Sequence, residues 1–245
     1  MSWWSLLGSG EFQPWSEAAD RWLLQRTNGD GRVVILPTAA APEGDGVFDT
    51  WGSKGLAHFS TFDVPAEVLP LKTRDDAEDP ELVRRMETAS VVYFSGGNPA
   101  YLAGTLQGTP FWRRLLERLD EGMAYAGCSA GVACLNEKTF DSTSDSFETV
   151  FKPGLSVMPR SVFGPHWDMV DTWIPGAADF IVGSVPDGYA FVGLDEDTAM
   201  LGDGRSWEVV GRSGIHVRSG DAWSTYREGD RFELELLAGP LAAKA

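Results

Sequence analysis

Ser129 stands at the centre of Gly127-Cys128-Ser129-Ala130-Gly131, with Ala124-Tyr125-Ala126 leading in and Val132-Ala133-Cys134-Leu135 following. Gly-x-Ser-x-Gly between an apolar run and a short apolar helical pattern is the form of a nucleophile elbow. There a serine is held on a tight strand-to-helix turn with its hydroxyl exposed. The flanking glycines are needed because a side chain at either position would meet the neighbouring strand or helix. The free N–H groups that open the following helix suit a developing oxyanion. The bland alternative is a Gly-rich strand end without chemistry, and a five-residue motif alone does not separate the two.

A hydroxyl is a weak nucleophile at neutral pH, so it needs a base, and the base needs an acid to orient it. The chain has three histidines. His58 lies near the end of a weakly helical stretch with no acid or nucleophile nearby in sequence, and reads as a surface or satisfied core histidine. His216, within Ile215-His216-Val217, reads as a half-buried strand residue. His166, in the Gly-Pro loop Gly164-Pro165-His166-Trp167-Asp168, is the best base. For the acid, Glu196 in a turn beyond a buried strand and Asp145 in a polar loop both stay open, with a modest preference for Glu196. Asp168 is too close to His166 in sequence to be the first choice. The Ala130 N–H is the expected first oxyanion donor. The Gly97 N–H, from Ser95-Gly96-Gly97-Asn98, is the natural second.

The elements that must position these groups alternate along the chain. Trp3–Leu7 reads as a buried strand ending in Gly8-Ser9-Gly10. The third glycine of a dinucleotide fingerprint is missing, since Gln13 stands in its place, so this is a tight strand-end turn and not a nucleotide site. A helix runs from Pro14 to about Arg26, and Arg32–Leu36 is a short run buried on both faces. Phe48 to about Phe59 is weakly helical, and Glu67–Leu71 is a strand. Asp79-Pro80-Glu81 opens a helix reaching about Thr88. Ser90–Phe94 is a strand, Pro110 to about Glu121 a helix with an apolar face, and Met123–Ala126 the strand feeding the elbow. The polar stretch from Asn136 to Pro153 reads as a loop, a lid or pocket wall if not simply mobile. Phe191–Leu201 is a strand, an acidic turn and a strand, and about Trp207–Leu237 reads as hairpins completing the same domain. Strands alternating with helices imply an α/β fold, a doubly wound, mostly parallel sheet. Ligands bind such sheets beyond the strand carboxyl ends, where Gly8-Ser9-Gly10, Pro37-Thr38, Gly96-Gly97-Asn98 and Ser129 all fall.

At 245 residues and 43% apolar composition the chain can build one α/β domain with a large core. A formal net charge of −16 argues against nucleic acid and against an anionic membrane surface, both of which need a basic face. The N-terminus has no basic region ahead of a long apolar core, so no signal peptide is expected. No apolar run approaches the length of a membrane span. Cys128 and Cys134, one in the elbow and one on the next helix, are not expected to pair, and the cytoplasm is the simplest location.

Five stretches, in order, carry a resemblance. They are Gly8-Ser9-Gly10-Glu11, Ile35-Leu36-Pro37-Thr38-Ala39, Phe94-Ser95-Gly96-Gly97-Asn98, Gly127-Cys128-Ser129-Ala130-Gly131, and Gly193-Leu194-Asp195-Glu196-Asp197-Thr198-Ala199. From about Leu6 to Val217 the chain resembles the peptidase E and cyanophycinase family of serine peptidases. That resemblance implies a flavodoxin-like, class I glutamine amidotransferase-like fold over a single domain, 1–245, with C-terminal β-hairpins. It implies Ser129 as nucleophile, His166 as base and Glu196 as orienting acid, with Gly97 and Ala130 as oxyanion donors and no metal or organic cofactor. In the amidotransferase relatives a cysteine occupies the central elbow position, which here is Ser129, so glutamine hydrolysis is not expected.

Peptidase E cuts dipeptides after an N-terminal aspartate, and cyanophycinase cuts a β-aspartyl-arginine polymer. This chain departs from both. Gly164-Pro165 replaces the Asp-Gln that precedes the cyanophycinase histidine, and no Arg or Lys occurs from Pro165 to Gly204. The segment from Trp167 to Trp173 favours an apolar, aromatic or cationic group over an acidic one. The candidate substrate-binding residues are Asn98, Trp167 and Arg160, the last a cation just upstream that could still reach the pocket. The expectation is a serine peptidase cutting short peptides, as an exopeptidase or dipeptidase, working as a monomer or homodimer. A non-catalytic binding protein and an esterase with the same triad are the alternatives.

Overall fold

The structure is a computed structural model that describes residues 2–144, 146, 148–237 and 239–241. Its parallel strands are the short apolar runs: β1 (Trp3–Leu7), β2 (Val33–Leu36), β3 (Ala66–Val68), β4 (Val91–Phe94) and β5 (Ala124–Cys128). Alternate residues point to opposite faces of a strand, and both faces here are apolar. Trp4, Leu6, Val34, Leu36, Val92 and Phe94 join one buried cluster, while Leu7, Val33, Ile35, Val91 and Tyr93 join another. Helices cover both sides. α1 (Glu17–Leu24) and α2 (Asp45–Ser60) contribute Leu23 and Phe59 to the second cluster. α3 (Arg74–Glu78), α4 (Pro80–Met86), α5 (Pro99–Leu106) and α6 (Pro110–Asp120) cover the first.

Local chemistry fixes the helix starts. The Asn98 carboxamide oxygen accepts from Ala100 N and Tyr101 N, Thr109 Oγ1 accepts from Trp112 N, and a proline follows each cap. The apolar positions 111, 112, 115, 116 and 119 of α6 are all buried, as their helical spacing requires. Beyond β5 the elbow leads into one turn of helix, α7 (Ala130–Ala133).

The second half departs from the sequence expectation in two places. The polar stretch read as a loop carries two short antiparallel strands, β6 (Lys138–Phe140) and β7 (Phe151–Pro153). The residues before His166, read as a loop, form β8 (Ser161–Pro165). Its proline is tolerated because β8 is an edge strand. After α8 (Val170–Trp173) and α9 (Ala177–Gly183) come β9 (Ala190–Leu194) and β10 (Thr198–Gly202), which are not partners. β10 extends the main sheet, together with β11 (Ser206–Gly211) and β14 (Arg231–Glu233). β9 joins a second sheet with β8, β12 (Gly214–Ser219) and β13 (Ala222–Arg227).

Among the described residues, the main sheet thus has eight strands in the order β14-β11-β10-β1-β5-β4-β2-β3, and the second has four, β13-β12-β9-β8. The five strands from β1 to β3 in that order are parallel, and β10, β11 and β14 add antiparallel. The expected doubly wound sheet is present. The hairpins are real, but β12–β13 belongs to the second sheet, whose strand β8 packs against α7. One buried cluster includes Phe163, Val192 and Ile215 of the second sheet as well as Leu6 and Phe94 of the first.

Candidate active site

The elbow is built as its sequence requires. Ser129 takes φ 50° and ψ −101°, backbone that a residue with a side chain rarely adopts. The Ser129 N–H donates to Leu7 O of the neighbouring strand, and its carbonyl accepts from Val132 N and Ala133 N. Both flanking glycines are sterically obligatory. A Cβ on Gly127 would collide with the Gly131 carbonyl oxygen, and one on Gly131 would lie 2.5 Å from that of Phe94.

The sheet arrangement brings three distant side chains together. His166 leaves the end of β8 with φ 56°. Its Nε2 lies 2.9 Å from Ser129 Oγ, and its Nδ1 lies 2.9 Å from Glu196 Oε1. A carboxylate only accepts, so Nδ1 carries the hydrogen and Nε2 is left to accept from the serine hydroxyl. Glu196 occupies the turn by which the chain passes from β9 in the second sheet to β10 in the main sheet. That turn is tied down at several points. The Glu196 N–H donates to Asp168 Oδ1 at 2.9 Å, and Thr198 Oγ1 donates to Glu196 O. Asp195 N donates to Gly214 O.

Beside it, Asp195 is buried and accepts from Ser213 Oγ at 2.7 Å and Gly214 N at 3.0 Å, and faces His216 Nε2 at 3.0 Å. Burial would raise the Asp195 carboxyl, but the hydrogen bonds from His216 and Ser213 outweigh it and hold the group below the usual range. His216 is therefore half-buried in β12 and paired with a structural carboxylate. His58 is a buried histidine 2.7 Å from Asp20. Asp145, the other acid considered, lies outside the described residues.

The Gly96-Gly97 loop runs alongside the serine, since a Cβ on Gly96 would stand 3.7 Å from Ser129 Cβ. The N–H groups of Gly97 and Ala130 donate to no acceptor among the described residues. Gly97 has φ 140° and no room for a side chain against the Ala39 carbonyl. A residue the sequence reading left inside a glycine motif holds this loop. Glu11 is buried, with Oε1 accepting from Gly96 N and Oε2 from Cys128 Sγ, each at 2.9 Å. It bridges the neighbour of Gly97 to the neighbour of Ser129. The Cys128 thiol is pushed well above its ordinary pKa by burial and then by Glu11, and burial pushes Cys134 up to about 12, so neither is a ready nucleophile.

Of the candidate substrate-binding residues, Asn98 is nearest in sequence to this loop. Its side chain is occupied, however, capping α5 and donating from Nδ2 to Asp141 Oδ1 at 2.8 Å. It borders a cleft of about 470 Å³ between α5 and the β6–β7 hairpin, lined also by Tyr101, Asp141 and Lys152. Trp167 turns onto the second sheet, packing on Phe191 at 4.5 Å between ring centroids and over Gly193. Arg160 precedes β8, at the opposite end of that strand from His166, and the structure does not bring it to Ser129. The aromatic ring that does meet the site is Trp173, 5.1 Å from the His166 ring.

Known proteins place the chain. The model of Peptidase family S51 matches residues 5–210. A cyanophycinase of Nostoc sp. (strain PCC 7120) is 25% identical over 158 residues, covering 62% of this chain and 52% of that protein. A cyanophycinase of Geminocystis herdmanii is 24% identical over 213 residues, 82% of this chain and 74% of that one. The chain spans about half the length of the Nostoc protein and of its Trichormus variabilis counterpart. Among solved structures, a peptidase from an acI-B1 Actinobacterium superposes with a TM-score of 0.88 at 28% identity, over 96% of this chain and 97% of that one. A structure from Listeria monocytogenes EGD-e shares the fold at 17% identity, with a TM-score of 0.61 over 93% of this chain and 98% of that one. Among the described residues no helix is long and apolar enough to cross a membrane.

Proposed function

The chain belongs to peptidase family S51, and from that premise we propose that it is a serine peptidase hydrolysing short peptides through Ser129, His166 and Glu196. The observation that carries this reading is the unbroken pair of 2.9 Å contacts from Ser129 Oγ through His166 to Glu196. In the mechanism it supports, Ser129 Oγ attacks the scissile carbonyl as His166 Nε2 takes its proton. Glu196 holds the tautomer and stabilises the imidazolium. The tetrahedral oxygen is received by the N–H groups of Gly97 and Ala130, which have no competing acceptor among the described residues. His166 then gives the proton to the leaving amine, and water, activated by the same histidine, releases the acyl group from Ser129. These steps use the three side chains, the two backbone N–H groups and water.

Short peptides, cut by an exopeptidase or dipeptidase, are the substrate class that membership of the family suggests. The test is a dipeptide and tripeptide panel read by mass spectrometry, with wild type and Ser129→Ala in parallel. Ser129→Ala is expected to lower turnover by several orders of magnitude, on the order of 10⁶ where such triads have been dissected. Cleavage that survives the substitution overturns the reading.

A further inference from the structure

Trp173 is a large apolar side chain that the fold leaves in water, 56% exposed, with Ile174 beside it 53% exposed. Isolated exposed apolar residues are ordinary, but this ring lies against the base of the candidate triad, 5.1 Å from the His166 ring and tilted 53° to it. The backbone fixes the pairing. Met169 N and Val170 N donate to the His166 carbonyl at 2.9 and 3.0 Å, and Trp173 N donates to Met169 O at 3.0 Å. The single turn of α8 therefore starts on His166 and delivers Trp173 back over it.

From this geometry we propose that Trp173 is the specificity-determining wall for the residue on the leaving side of the scissile bond, and that this residue is apolar or aromatic. The inference rests on the serine peptidase reading and deepens it. His166 must stand within hydrogen-bond reach of the departing amine, so the side chain borne by the amine's residue lies on the His166 side of Ser129. There it meets the indole. An aromatic or branched aliphatic group would bury against Trp173 and remove apolar surface of both partners from water. An acidic group would find no cation from Pro165 to Gly204. It would instead meet the negative charge of Glu196, paired with His166, and of Asp168, which accepts from the Glu196 N–H. A purely structural Trp173 would cover the base without distinguishing one leaving residue from another.

The experiment fixes the best N-terminal residue from the panel and varies the second through Ala, Leu, Phe and Glu. It measures kcat/KM for wild type, Trp173→Ala and Trp173→Arg, and binding of the same peptides to Ser129→Ala by calorimetry. Wild type is expected to prefer Phe and Leu over Ala and Glu. Trp173→Ala should lower kcat/KM for Phe and Leu by about tenfold, the scale on which one apolar pocket discriminates, with Ala nearly unchanged. Trp173→Arg should raise Glu relative to Phe, a gain that a merely structural role does not produce. A flat wild-type profile that depends on Ser129, or an equal loss on all four peptides in Trp173→Ala, overturns this inference alone. Cleavage of none of the peptides, or cleavage that persists in Ser129→Ala, overturns the peptidase reading and this one with it.

Discussion

Ser129, the proposed nucleophile, stands on backbone that costs energy. Its φ of 50° and ψ of −101° lie outside the regions open to residues with a Cβ, a strain of about 1–3 kcal/mol. Removing the hydroxyl alone leaves that strain, while removing the Cβ relieves it. Glycine also frees the unfolded chain, at a cost of roughly 0.4–1 kcal/mol, so relief is the larger effect. Ser129→Gly is therefore expected to melt above Ser129→Ala, by about 2–4 °C per kcal/mol for a chain of this size, although both are inactive. Equal or lower melting of the glycine variant in calorimetry would mean the elbow is unstrained. The same steric logic made this residue a candidate from sequence, although the five-residue motif alone did not separate an elbow from a Gly-rich strand end. His166 stood out in the sequence as the candidate base, while Glu196 and Asp145 both stayed open as the acid. The roles of Asp168 and Glu11 were not legible, since each acts by accepting a backbone N–H from a residue remote in sequence. Sequence reading named Trp167 and not Trp173, because the directions of the two rings depend on the positive φ of His166 and on the one turn of helix after it.

The turn between β9 and β10 is the element on which the site depends. It hands the chain from one sheet to the other, and Glu196 sits at its crest, so its shape sets where the carboxylate meets His166. Asp195 anchors it from below through Ser213, Gly214 and His216. Because the Asp195 carboxyl is held below its usual range, the ionised form is favoured by folding. The sign follows: this contribution is fully present above the unfolded pKa, about 3.9, and is lost as pH falls through the lower folded-state value. Melting temperatures of wild type and Asp195→Asn should therefore differ at pH 6 and converge as the solution is taken below about pH 4. A gap that stays constant to pH 2.5 would sink the argument. The variant should also lose turnover at neutral pH through a looser Glu196, with a smaller change in KM. Sequence reading found both strands and the acidic turn but assigned neither strand to a sheet. Strand periodicity reports burial, and β10 is buried throughout while β9 is buried at all but its first residue. Which sheet each joins is decided by the bend at Asp197, φ 50°, and by long-range pairing of β9 with β8 and β12.

At the scale of the molecule, the parallel order of the main sheet followed from buried runs alternating with helices, and the net charge was plain from composition. That charge of −16 acts on anything that approaches. Many of the basic side chains are already committed. Arg114 pairs with Glu87, Glu117 and Glu121, and Arg32 and Arg85 both pair with Glu67. The field outside the protein is therefore negative, and it concentrates cationic peptides near the surface while depleting anionic ones. Salt cuts this off, since the screening length is about 30 Å at 0.01 M and about 8 Å at 0.15 M. Three peptides sharing the same residues at the scissile bond, but carrying net charges of +1, 0 and −1 at a distal position, separate this field from contacts at the site. As salt rises from 10 to 150 mM, kcat/KM should fall a few-fold for the cation, hold for the neutral peptide and rise for the anion, while kcat stays level for all three. A common salt response would mean the field does not reach the mouth of the site. Selection by charge would then have to come from the groups of the candidate site itself, where Glu196 and the Asp168 that accepts from its N–H are both anionic.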